Sequence, residues 1–169
     1  MTATTIGNDP SPEFLGNHPA FEIRLGDSAS LECTVTQHDI QLFAAVTADV
    51  NPAHVDASYA SASASFFHEI IAHGMLGGAW ISSVLGTRLP GPGTIDLGQT
   101  LNFLKPVHTG DTLIVTVTVS AIDGDQGHVT LATQCVNQHD ERVSARGIPT
   151  NEELMIALHA RSELNPTAA

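Results

Sequence analysis

The chain has 169 residues, enough for one domain with a substantial hydrophobic core. Its 18 acidic residues against six basic ones give a formal net charge of −12. This charge argues against nucleic acid or an anionic membrane as a partner, because both are bound through clusters of lysine and arginine. The hydrophobic fraction of 42% is ordinary for a globular protein, and no apolar run is long enough to span a membrane.

The N-terminal residues 1–20 hold three of the nine prolines and little periodicity. They predict a loose leader before a single domain over residues 21–169. The first eight residues have no signal-peptide pattern. The two cysteines, Cys33 and Cys135, fall on apolar-facing positions of strand-like segments, so we expect buried reduced thiols. These features favour a cytoplasmic protein.

A strand and a helix are predicted next. Leu31, Cys33 and Val35 alternate with polar residues, which is typical of a half-buried strand. Thr36 followed by Asp39 is a helix start signal. The inner face of this helix is predicted to carry Ile40, Phe43 and Thr47, with Leu42 and Val46 beside them.

Residues 49–54 read Asp-Val-Asn-Pro-Ala-His and are the most informative stretch of the chain. Asp49, Asn51 and His54 supply a carboxylate, an amide and an imidazole, which together can hold a water molecule and move its proton. Because the proline restricts both its own φ and the preceding residue, we expect an ordered non-helical loop. The same residue types are also ordinary turn formers. A short helix over 56–63 is predicted to follow.

Residues 74–87 predict an apolar helix that begins at Gly74. Gly77 and Gly78 lie inside it, although each glycine costs a helix about 1 kcal/mol relative to alanine. A helix wrapped closely by a curved sheet would use such residues, because they admit neighbouring backbone. The Gly74 N–H would lie at the positive end of the helix dipole, where an oxyanion is stabilised. Apolar residues surround nearly the whole helix: Met75, Leu76, Trp80, Ile81 and Leu85.

Three long alternating segments joined by short turns predict antiparallel strands and an α+β fold. They cover Ile95–Phe103, Leu113–Ala121 and Val129–Cys135, and a shorter run, Arg142–Ile148, completes the sheet. Residues 150–153 read as a capping box, which predicts a C-terminal helix with Leu154, Met155 and Leu158 on one stripe.

His68, Glu69 and His73 come near the helical zinc-protease signature. That signature needs histidines four apart, and these are five apart, so we expect no metal site. His73 has two interpretations: it orients the loop before Gly74, which we favour, or it contacts a ligand.

The motifs together resemble the MaoC-like dehydratase family, the R-specific enoyl-CoA hydratases with a hot-dog fold. The resemblance spans about residues 28–147 and implies an antiparallel sheet wrapped around a buried central helix. It also implies a homodimer or higher homo-oligomer. The matching segments, in the family's order, are Thr47–Asp56, Ile71–Leu76, Leu89–Gly93, Leu97–Leu101 and Pro106–Asp111.

The resemblance implies a hydro-lyase that adds water reversibly, in syn fashion, to trans-2-enoyl-CoA to give (R)-3-hydroxyacyl-CoA. On the matching positions, Asp49 and His54 share one water: one takes its proton as hydroxide adds to C3, and the other protonates C2. Asn51 orients the water or the histidine, and the Gly74 amide holds the thioester oxygen. Coenzyme A, or an acyl carrier protein, enters only as part of the substrate, and no cofactor is implied.

Four further residues are candidate substrate-binding residues: His73, Phe67, Lys105 and Arg88. The negative chain suits polyanionic coenzyme A poorly, and Lys105 and Arg88 are among its few cations. His68 and Glu69 stand where many relatives have small residues. The pair disfavours long acyl chains if it lines the acyl entrance, and does nothing if it faces solvent.

Two other functions fit the same fold. A hot-dog acyl-CoA thioesterase does not normally need the Asp-Asn-His arrangement. A non-catalytic subunit that binds acyl thioesters would keep the pocket and could lose the trio. The intact trio favours the hydratase.

Overall fold

The computed structural model describes residues 22–62, 67–124, 127–139, 142–145 and 154–158. The predicted leader, residues 1–20, lies outside the described residues. In chain order the elements are β1 (Ser28–Thr34), α1 (Gln37–Thr47), α2 (Pro52–Val55), α3 (Ala57–Ser61), α4 (Gly74–Thr87), β2 (Thr94–Gly98), β3 (Thr112–Asp123), β4 (His128–Asn137), β5 (Arg142–Ala145) and β6 (Leu154–Leu158).

The strands form one antiparallel sheet in the order β1-β3-β4-β6-β2, with β5 also paired to β4. The predicted alternation on β1 and β3 is confirmed: Leu31 and Val115 are paired and buried. On the opposite face, hydroxyl groups pair across the two strands, as between Ser30 Oγ and Thr116 Oγ1 at 2.9 Å. One face of the sheet therefore builds the core, and the other is polar.

Helix α4 packs into this sheet, and its predicted bounds are confirmed. The inner face is tightly packed at Gly78, where an added Cβ would lie 2.8 Å from Leu101 Cδ1. The prediction of burial around the whole circumference is wrong for the opposite face, since Met75 is 50% exposed and Ala79 is also exposed. The buried residues of α4 are Leu76, Gly78, Ile81, Val84 and Leu85.

Helix α1 begins as predicted. Thr36 Oγ1 accepts from the Asp39 N–H at 3.1 Å, and Asp39 Oδ2 accepts from the Thr36 N–H at 2.9 Å, which completes a capping box. Ile40 is fully buried, but Leu42 and Val46 are 51% and 87% exposed, so their predicted place on the inner face is wrong.

The C-terminal segment differs most from its prediction. Leu154–Leu158 is a strand, β6, that pairs with both β2 and β4, whereas a helix was expected there. The sheet supplies hydrogen-bond partners on both sides of this segment, and such tertiary pairing outweighs a local helix signal. The cap residues 150–153 lie outside the described residues.

Three smaller findings complete the fold. Strand β2 ends at Gly98, so the strand predicted to reach Phe103 is shorter than expected. Both cysteines are buried reduced thiols, as predicted, and burial raises the pKa of Cys33 to about 12. Among the helices that the structure describes, none combines the length and apolar character needed to cross a membrane.

Candidate active site

The predicted Asp-Asn-His motif lies in the turn after α1. The helix ends at Ala48, whose φ of 59° reverses the chain direction. Asp49 Oδ1 then accepts from the Asn51 N–H at 3.2 Å, and Asn51 Oδ1 accepts from the Ala53 N–H at 3.1 Å. These two bonds fix the loop and cap α2, the short helix that carries His54.

The expected non-helical loop is therefore right for residues 49–51 and wrong for Pro52–Val55, which form one helical turn. Proline is compatible with the first helical position, where its missing N–H is not needed. Proline also restricts the preceding residue to an extended backbone, and Asn51, the N-cap, satisfies this with a ψ of 127°.

His54 is partly buried, and its Nδ1 lies 2.8 Å from the carbonyl oxygen of Ile71. Since a carbonyl only accepts, Nδ1 carries the proton and Nε2 of the neutral ring keeps a lone pair. The Ile71 N–H in turn donates to Ala53 O at 3.3 Å, and the Ala72 N–H donates to Val107 O at 2.7 Å. The segment before α4 is thus held on both sides.

His73 is the N-cap residue of α4 and is only 4% exposed. Its Nε2 lies 2.9 Å from the main-chain oxygen of Asp49 and 4.0 Å from the carboxylate oxygen Oδ2 of the same residue. Its ring stacks on His54 with the centroids 3.9 Å apart. One ligand-type atom from each of Asp49, His54 and His73 falls within 4.8 Å of the others. The structure therefore brings Asp49 and His54 together.

Two imidazoles and a carboxylate are also a donor set for a divalent cation. In this arrangement His73 Nε2 holds a proton for the Asp49 carbonyl, so it has no lone pair directed at a cation. Asp49 and His54 keep their free oxygen and nitrogen atoms. The geometry suits proton transfer between water and two bases better than metal binding.

Gly74 is the first residue of α4 and is exposed. The first N–H groups of a helix have no partner within it, and His73 makes no side-chain cap bond to them. An added Cβ at Gly74 would lie 3.0 Å from Cδ1 and Cε1 of the Phe103 ring. A glycine here lets the aromatic ring lie against a helix N-terminus that is free to bind an oxyanion.

Two cavities meet at this point. The first, of about 380 Å³, is mostly apolar and reaches from His54 and Gly74 to Leu113 and Cys135. The second, of about 530 Å³, is lined by Asp49 and by the exposed face of α4. The residues that line both are His54, His73, Gly74 and Phe103.

The candidate substrate-binding residues fall into two groups. Phe67, His73 and Lys105 line the first cavity. Arg88 does not: it follows the last residue of α4, and a 14-residue helix is about 21 Å long, so it lies far from Gly74. There its guanidinium donates to Ser30 O, and burial lowers the pKa of Arg88.

His68 and Glu69 are both exposed, and neither lines the two cavities described above. Of the two interpretations given for this pair, the structure favours side chains that face solvent.

Phe103 is the residue that sequence reasoning missed at the site. It was predicted only as the last residue of a strand, whereas it is 52% exposed and lies against Gly74 between the two cavities. The alternation of residues 95–103 carried no sign that the strand ends at Gly98.

A family model described as MaoC like domain matches residues 24–140. This chain belongs to the MaoC-like domain family. An (R)-specific enoyl-CoA hydratase of Rhodospirillum rubrum is 49% identical over 114 residues, which cover 68% of this chain and 78% of that protein. One from Aeromonas caviae is 38% identical, over 70% of this chain and 87% of its own length.

Solved structures agree. R-hydratase PhaJ1 from Pseudomonas aeruginosa is similar with a TM-score of 0.78 and 40% identity, covering 92% of this chain and 98% of its own. The (R)-hydratase from A. caviae involved in PHA biosynthesis has a TM-score of 0.73 and 34% identity, covering 80% and 97%. The predicted α+β hot-dog fold, with its sheet around α4, is confirmed.

Proposed function

We propose that this chain is an R-specific enoyl-CoA hydratase, a hydro-lyase that interconverts trans-2-enoyl-CoA and (R)-3-hydroxyacyl-CoA. The observation that carries the proposal is the meeting of Asp49, His54 and the N-terminus of α4 at the mouth of an apolar cavity. The similarity to R-specific hydratases supplies the stereochemistry.

Asp49 and His54 act on one water from the same side of the double bond. His54 Nε2 has a free lone pair because Nδ1 is bonded to Ile71 O, and the Asp49 side chain is 53% exposed toward the site. One group takes a proton from the water as the water oxygen bonds to C3. That proton passes to the other group, which gives it to C2, so that both groups return to their starting states. Because both additions occur on one face, the hydration is syn.

Asn51 has a positioning role in this mechanism. Its side-chain oxygen caps α2, and that cap sets the direction in which His54 leaves the loop. We therefore propose that Asn51 positions His54, one of the two roles that the sequence left open for it.

Gly74 supplies the oxyanion donor. As water adds to C3, negative charge moves onto the thioester oxygen, and the N–H of Gly74 is directed out of the helix at its positive end. Removing one donor of this kind typically costs about 2.7–4 kcal/mol of transition-state stabilisation. Such a donor also holds the thioester in place while the proton is delivered.

The apolar cavity would take the acyl chain, and Lys105 at its lining would meet the phosphates of coenzyme A or of an acyl carrier protein. We expect this contact to matter because the chain carries few cations. A cytoplasmic location is proposed with it, on the support of the two free thiols.

A second copy of the chain is proposed to cover the exposed face of α4. Met75 is 50% exposed there, and Phe103 is 52% exposed beside the second cavity. Apolar residues this exposed on a helix that otherwise builds the core are typical of an interface. Light scattering should give the molar mass of a dimer or higher homo-oligomer. Met75→Glu should shift that mass toward the monomer. A monomeric wild type would exclude this part of the proposal.

One assay tests the function. Purified protein is mixed with a conjugated enoyl-CoA, and both the enoyl absorbance and free thiol are followed. Loss of absorbance without thiol release, with (R)-3-hydroxyacyl-CoA as the product, is the expected result. Thiol release would indicate a thioesterase, and binding without either change would indicate a non-catalytic subunit.

A further inference from the structure

The sequence left two roles open for His73, orientation of the loop before Gly74 and contact with a ligand, and its surroundings are those of a structural centre. Only 4% of the residue is exposed, which leaves little surface for a substrate. It stands at the junction of three elements: it is the N-cap residue of α4, its side chain bonds to the Asp49 loop, and its ring stacks on His54 of α2.

The hydrogen bond to Asp49 fixes the proton of His73. The main-chain oxygen of Asp49 only accepts, so Nε2, at 2.9 Å, must carry hydrogen. The other nitrogen, Nδ1, is buried and has no hydrogen-bond partner among the residues that the structure describes. An unpaired buried nitrogen is unfavourable for folding. A purely structural position would be better filled by an apolar ring, so Nε2 must supply something that such a ring does not.

The stack fixes the plane of His54. The two imidazole centroids are 3.9 Å apart with an interplanar angle of 31°, and the centroid of the Phe43 ring of α1 lies 5.1 Å from that of His73. The bond from His54 Nδ1 to Ile71 O holds one edge of the ring. The stack then prevents rotation about that edge, so the two contacts together set where Nε2 lies.

We infer that His73 is a positioning residue: it holds Asp49 by hydrogen bond and His54 by stacking, at a fixed distance from the neighbouring Gly74 amide. The inference rests on the proposed hydration. A displacement of about 1 Å at such a site typically costs a rate factor on the order of 10². His73 therefore acts through the placement of other groups, and its loss should lower kcat rather than substrate affinity.

Three substitutions separate the two contacts. His73→Phe keeps an aromatic ring for the stack and loses the donor, His73→Gln keeps a donor and loses the stack, and His73→Leu loses both. We expect kcat to fall about 10-fold in each of the first two and about 100-fold in the third, with KM within about threefold of wild type. His38→Gln, at an exposed position of α1, is the matched control and should be unchanged.

Melting temperatures and circular dichroism give the folded fraction of each variant, and each kcat is calculated per folded protein. A raised KM with wild-type kcat would overturn the inference in favour of a substrate contact. Wild-type kinetics in His73→Leu, or equal kcat in all three variants, would overturn it as well.

A measurement independent of activity covers variants that do not fold. With 15N-labelled histidine, the wild type at neutral pH should show a ring in the Nε2–H tautomer whose signal disappears in His73→Phe. If the signal lost in His73→Phe is instead that of a ring with its proton on Nδ1, the contact is refuted. Absence of hydration by the wild type would instead refute the proposed function and with it the kinetic role, and the NMR signal would still report the contact.

Discussion

Replacing Gly74 by alanine tests the oxyanion site most directly, because the structure fixes what the new methyl group meets. An ideal Cβ would lie 3.0 Å from two atoms of the Phe103 ring and 3.3 Å from a third. Such contacts are tighter than ordinary van der Waals distances, so the ring or the helix start must move by a few tenths of an ångström. Phe103 is 52% exposed, so the ring is free to yield and the melting temperature should change little.

Activity should respond more strongly than stability. Because Phe103 lines both cavities beside His54, its displacement crowds the place where the thioester lies. We expect kcat/KM of Gly74→Ala to fall about 10- to 100-fold in the enoyl-CoA assay. In the Phe103→Ala background, Gly74→Ala should lower kcat/KM by less than it does in the wild type, because the colliding ring is gone.

Two outcomes would refute this reasoning. Wild-type kinetics in Gly74→Ala would mean that the displaced Phe103 ring does not crowd the place where the thioester lies. Strictly additive losses in the double variant would mean that the collision with Phe103 is not the cause.

Asp49→Asn and His54→Ala should each fold normally and lose about 10²–10⁴-fold in hydration rate. The double variant should lose much less than the product of the two single losses, because paired groups act together. A wild-type rate in either single variant would contradict the mechanism. Gly78→Ala should melt below Gly86→Ala, a glycine of the same helix with nothing within 4 Å of its added Cβ. Overpacking typically costs about 1–3 kcal/mol, which corresponds to roughly 2–12 °C at this size; equal melting temperatures would mean that Leu101 yields freely. Lys105→Ala should raise KM for the CoA thioester several-fold with little change in kcat. This increase in KM should be smaller at high salt, and an increase that does not depend on salt would contradict a phosphate contact.

The sequence was sufficient where the determining interactions are local. The capping box of Thr36 and Asp39 identified the start of α1, and a glycine before an apolar run identified the start of α4. The grouping of Asp49 with His54 followed from their separation of only five residues. Whether these residues have their catalytic roles stays a prediction for the variants above.

The predictions that were wrong depend on contacts between distant parts of the chain. Leu154–Leu158 became a strand because β2 and β4 offer hydrogen bonds that no local signal reveals. Leu42 and Val46 are exposed because the buried side of α1 is that of Ile40 and Ala44, and sequence periodicity does not say which side of a broadly apolar helix is covered. Arg88 was misplaced for a simpler reason: the predicted helix itself, at about 1.5 Å per residue, separates it from Gly74.

The position of α4 connects the core to the chemistry. Its buried face, through Gly78 against Leu101 and through Leu76, fixes the helix within the sheet, and its first turn then presents Gly74 at the cavity. His73, one residue earlier, is buried against the Asp49 loop and the His54 ring. A helix able to shift along the sheet would carry the oxyanion donor away from the acid–base pair. The tight packing at Gly78 therefore serves the active site as well as stability, and Gly78→Ala should lower kcat by more than its loss of folded protein explains.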